Sequence, residues 1–81
     1  MNDLKKRILD VMGTVFEINP SEIVESSGPG SIEKWDSLRH MTLVVALEEE
    51  FNIRFRDEMI EQLINFKLIE IFLRELLKTE K

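Results

Sequence analysis

The sequence contains no cysteine. This excludes disulfides, a thiolate zinc site and a thiol nucleophile, and it leaves an apolar core to hold the fold without a cross-link. Histidine is represented once, by His40. No second histidine or acid stands at ligand spacing from it on one helix face, so His40 reads as a solvated helix residue or a partner contact, not a metal ligand. Long apolar runs are also missing. Nothing approaches the roughly 18–20 residues that span a bilayer. The opening MNDLKKRILDVMG carries basic residues without the continuous apolar stretch of a signal peptide. A soluble cytoplasmic protein with no membrane insertion is therefore expected. Positive charge is in the minority: eleven Lys and Arg face sixteen Asp and Glu, for a net charge of −5. Nucleic acid wants the opposite balance, whereas partners with basic patches suit this one.

What is present is enough for one small domain, residues 1–81, with 43% hydrophobic residues. The spacing predicts a first helix from about Asn2 to Phe16, with Leu4, Ile8, Val11, Met12, Val15 and Phe16 on one stripe and Asn2 or Asp3 as cap. A long connection follows, Glu17 to Asp36. It is marked by Asn19-Pro20 and Gly28-Pro29-Gly30, with Ser21 placed to cap a short turn carrying Ile23 and Val24. So long a link in so small a domain is often functional or partly mobile. A second helix is expected from Ser37 to Glu50 with Asp36 as cap. An extended link then carries Ile53 and Phe55. A short third helix is expected over Asp57 to Leu63, capped by Arg56 or Asp57, with Met59, Ile60 and Leu63 inward. Asn65 is expected to cap a fourth helix, Phe66 to Lys78, whose stripe is Ile69, Phe72, Leu73 and Leu76. No alternating strand pattern and no repeat is visible. The expected class is all-α: a small bundle of three main helices and a short one, with a long first loop.

No site that does chemistry by itself stands out. Asp36, Ser37 and His40 suggest a catalytic triad on paper, but such neighbours on one helix start do not put a base between nucleophile and acid. GPGS lacks the lysine and the strand of a phosphate loop, and there is no calcium loop. Two features of EKWDSLRHMTLVVALEEEF do need an explanation. Ser37 falls in the first turn of a helix, where free N–H groups and the dipole favour a phosphate. Alternatively it only helps Asp36 to cap. The same helix is also more apolar than one stripe requires. With Leu43, Leu47 and Phe51 inward and Val44 at the edge, Met41 and Val45 fall on an outer line suited to contact with a partner. The other reading is one broad buried face. Trp35 reads as a core plug in preference to a shield on the surface. Leu68, Ile71 and Leu77 exceed the stripe of the fourth helix, and would widen the core, line a pocket or form a weak dimer contact.

Asp36-Ser37-Leu38, the ALEEEF at residues 46 to 51, the long first loop, the short third helix and the final apolar helix together resemble the acyl carrier proteins over nearly the whole chain. The resemblance implies that a phosphopantetheinyl transferase moves 4′-phosphopantetheine from coenzyme A onto Ser37. The thiol of that arm would carry an acyl group as a thioester, and the chain itself would be a non-catalytic, monomeric carrier. By the same matching, Asp36, Leu38, Arg39, Met41, Val45 and Glu48 fall at partner-facing positions. Acyl-transferring, condensing or acyl-activating enzymes would meet them with basic docking patches. Trp35 before the Asp, with Arg39 and His40 after the Leu, looks more like stand-alone carriers of specialised lipid or polyketide-type pathways than like a general fatty-acid carrier. A D-alanyl or aminoacyl carrier and an unmodified helical interaction domain are the alternatives.

Overall fold

The computed structural model describes residues 3–79. Four α-helices run in the order α1 (Asp3–Phe16), α2 (Ser37–Phe51), α3 (Asp57–Ile60) and α4 (Phe66–Thr79), with one 3-10 turn at Pro20–Glu22. The described residues contain no strand. The all-α class is therefore as expected: three main helices and one short helix enclose a single core. The expected cap at Asn2 lies outside the described residues.

Periodicity explains the core. Ile8, Met12 and Phe16 of α1, Leu43, Val44, Leu47 and Phe51 of α2, and Phe66, Ile69 and Leu73 of α4 are buried in one cluster. Each set recurs at steps of three or four, with Val44 beside Leu43, so each helix turns one stripe inward. Val44 belongs to the core itself and not to its edge. Phe72, Leu76 and Leu77 are only half-buried against the cluster, and Ile71 is exposed.

Helix ends follow local chemistry. Asp36 Oδ1 accepts a hydrogen bond from Arg39 N at 2.8 Å, and Asn65 Oδ1 accepts one from Leu68 N at 2.8 Å. Both are side-chain caps on otherwise orphaned N–H groups. α2 stops at Asn52, which takes up the left-handed conformation with φ 55°, a role that asparagine tolerates well. Arg7 then ties α1 to this end of α2. Its Nε donates to Glu50 Oε2 at 2.9 Å, its Nη2 donates to Glu50 O at 2.8 Å, and its guanidinium lies 4.4 Å from the Phe51 ring centroid.

Two expected details are corrected. The cap of the short turn is Asn19, not Ser21: Asn19 Oδ1 accepts from Ser21 N at 3.0 Å. The turn buries Ile23 while Val24 remains exposed. α3 ends at Ile60, short of Leu63, and Arg56 caps it without a side-chain bond. Four residues leave most of its N–H groups without intrahelical partners, so α3 depends on packing and not on propensity. Leu63 is fully buried all the same, from the turn that follows.

The long connection is built into the fold. Ile23, Ile32 and Trp35 are in the core, and the carbonyls of Ser27 and Glu25 accept from Phe66 N and Lys67 N, both at 3.1 Å. The loop thus satisfies the first N–H groups of α4, which a helix cannot satisfy alone.

Candidate functional site

Ser37 is the first residue of α2 and is exposed. Among the described residues nothing hydrogen-bonds its hydroxyl, because the cap is made by Asp36. The hydroxyl is thus available, and among the described residues no side chain is hydrogen-bonded to it. His40, the only imidazole, is committed at both ring nitrogens. Trp35 Nε1 donates to His40 Nδ1 at 2.9 Å, and His40 Nε2 lies 2.8 Å from Ile60 O. Because the indole can only donate, Nδ1 accepts and Nε2 carries the proton to Ile60 O.

This corrects the sequence-based reading of His40 as a solvated side chain. It is half-buried and bridges the start of α2 to the end of α3. The signal available in the sequence was its spacing of five residues from Trp35, one turn and a cap away. Trp35 is only 3% exposed and stacks on Phe16, with ring centroids 4.8 Å apart. It is the core plug that its size suggests.

A cleft of about 540 Å³ opens beside Ser37, lined by Pro29, Trp35, Asp36, Ser37, His40, Glu61 and Ile64. Pro29 comes from the first loop, Glu61 and Ile64 from the link between α3 and α4. Nothing in the sequence pattern points to these three, since only the chain's path brings them to the helix start.

Arg39 and Glu48 have local partners. Arg39 turns away from the cleft toward the end of α1, where Nη1 donates to Val15 O, and its other terminal nitrogen lies 3.9 Å from Glu17. Lys34 hydrogen-bonds and pairs with Glu17, and with the Arg39 charge it holds the Glu17 carboxyl below the ordinary carboxylate range. A basic residue over the carbonyl end of α1 is also favourable to the helix dipole. The Glu48 carboxylate accepts from Phe55 N at 2.9 Å, and so holds the link beyond α2.

Leu38, Met41 and Val45 form an outer stripe on α2 at spacings of three and four, and are 76%, 47% and 49% exposed. Such exposure of three large apolar side chains in one line separates this face from the buried one. Among the described residues no group of three or more His, Cys, Asp or Glu side chains is placed to hold a metal ion, and no helix is long and apolar enough to cross a membrane. No protein-family model matches the chain, and no curated protein is significantly similar to it.

Proposed function

We propose that the chain is a phosphopantetheine-dependent carrier of acyl groups, with Ser37 as the attachment residue and no catalytic role of its own. The observation that carries this reading is the placing of Ser37. Its unbonded hydroxyl stands at a helix start, at the mouth of a cleft, beside an exposed apolar stripe. In the transfer, Ser37 Oγ attacks the phosphorus that bears pantetheine in coenzyme A. The bond to the nucleotide phosphate breaks, and the hydroxyl proton passes to a base on the transferase. The group supplies a thiol, which this cysteine-free chain lacks.

These residues fit such a group. Its phosphate would lie at the N-terminal end of a fifteen-residue helix, where the dipole favours negative charge. Trp35 and Ile64 offer apolar cleft wall, and His40 and Glu61 offer polar wall. Leu38, Met41 and Val45 would meet the partner enzyme's apolar contact, while the net charge of −5 draws basic docking surfaces together with it. Such encounters are fast and salt-sensitive. The same reading places the protein in the cytoplasm with its supply of coenzyme A.

Intact-protein mass spectrometry tests it. With coenzyme A and a broad-specificity transferase, the wild type is expected to gain one phosphopantetheine and Ser37→Ala none. The melting temperature of Ser37→Ala should remain close to that of the wild type, because the cap is on Asp36. A folded wild type that gains nothing points instead to an unmodified interaction domain that uses the same stripe. Met41→Glu is expected to raise the KM of the transferase or of an acyl-transferring partner by about tenfold, the loss of one well-packed apolar contact. Its circular dichroism melt should be unchanged, since Met41 is 47% exposed.

A further inference from the structure

We propose that Trp35, His40 and Ile60 form a latch that shuts the seam between α2 and α3, so that the carried group stays in the outer cleft and is a short acyl or aminoacyl group, not a long alkyl chain. The inference rests on the carrier reading for its cargo, but the latch is a property of the chain alone.

Trp35 lines the cleft and at the same time belongs to the buried cluster with Phe16, Leu43, Leu47 and Leu63. Its ring is therefore the wall between cleft and core. Three restraints hold that wall. Phe16 stacks on one side of the indole. His40 accepts the indole N–H and lies nearly parallel to it, at 19° and with ring centroids 6.0 Å apart. The same imidazole donates to the carbonyl of Ile60, which anchors the assembly to α3. A chain entering the core from Ser37 would have to displace the indole, and that would break its hydrogen bond to His40 and its stack on Phe16 together. Buried polar groups left without partners resist such opening.

The cleft outside the wall has a different character. Pro29 and Ile64 are apolar and exposed, while Asp36, Glu61 and His40 are polar. A space of about 540 Å³ that is open to water suits a small group with polar atoms. A long alkyl chain left there would remain largely hydrated, which its apolar surface disfavours.

The absence of cysteine makes the test independent of any transferase. Ser37→Cys provides one thiol, to which an iodoacetamide reagent attaches a spacer of phosphopantetheine length ending in acetyl or dodecanoyl. Trp35 is the only tryptophan, so its emission reports on the latch directly. The two conjugates are expected to share one emission maximum and to melt within about 1 °C of each other. In His40→Gln, which disrupts the imidazole bridge conservatively, the dodecanoyl form is expected to shift the emission and to melt about 4 °C or more above the acetyl form. A dodecanoyl-dependent shift without the His40 change would overturn the proposal, as would no shift in either background. Loss of the carrier reading would appear instead as a wild type that takes up no arm from coenzyme A, with the latch result unaffected.

Discussion

Trp35→Ala is expected to remove a large share of the domain's stability. The side chain is 3% exposed, stacks on Phe16 at 4.8 Å and donates its N–H to His40. Truncating a buried aromatic to alanine costs about 3–5 kcal/mol, the lost transfer energy plus the cavity left behind. A chain of 81 residues has only about 4–12 kcal/mol in total at ordinary stability per residue. The melting temperature should fall by about 15–30 °C. Trp35→Phe separates the ring from its hydrogen bond. It keeps most of the stacking surface and loses one donor, so about 1 kcal/mol and about 5 °C are expected. Urea unfolding followed by far-ultraviolet circular dichroism measures both variants. If Trp35→Ala loses only a few degrees, the indole is not part of the core and the latch has no wall.

The second large effect is expected at Gly28, and its cause is space. A Cβ built there would lie 2.3 Å from the carbonyl oxygen of Ile64, a backbone atom that cannot swing aside. No described glycine has positive φ, so backbone conformation is not the constraint. Gly28 is also fixed from its own side: its N–H donates to Ser31 Oγ at 3.0 Å, and its carbonyl accepts from Ser31 N and Ile32 N at 2.9 and 2.8 Å. Gly28→Ala must push the loop away from the α3–α4 link. That movement pulls Ser27 O off Phe66 N, the bond that satisfies the first N–H of α4. Overpacking of this kind costs about 1–3 kcal/mol, and the hydrogen bond lost at Phe66 N adds to it, so a fall of about 10–20 °C is expected. Hydrogen exchange at the Phe66 and Lys67 amides should rise in the same variant. Gly30→Ala is the control. Nothing lies within 4 Å of a Cβ at Gly30, and its melt should match that of the wild type.

Most of the departures between sequence and structure have one cause. Where a feature depends on neighbours within a turn or two, it can be read directly. The stripes of α1, α2 and α4, the caps at Asp36 and Asn65, and the outer line of Met41 and Val45 are all of this kind, because helical geometry alone places residues three and four apart on one side. The cap at Asn19 is a local exception: Ser21 and Asn19 both suit a cap, propensity does not choose between them, and Asn19 takes it by accepting from Ser21 N. The other departures depend on more distant segments. α3 is shorter than its apolar residues suggest, because Leu63 reaches the core from a turn as readily as from a helix. His40 looks solvated on a helical wheel, and becomes half-buried only because Trp35 and Ile60 close over it from two other segments.

For the candidate site the same division holds. The sequence by itself determined that Ser37 begins a helix, that Asp36 caps it and that an apolar line runs down its outer side, since each follows from local hydrogen bonding and the 3.6-residue period. Only the tertiary structure decided that Ser37 opens onto a cleft, that Arg39 turns back to Val15 and Glu17, that Glu48 holds the amide of Phe55, and that an imidazole bridges α2 to α3. These contacts join residues from separate segments. Which of them form depends on how the whole chain buries its apolar surface, a quantity that no local window contains.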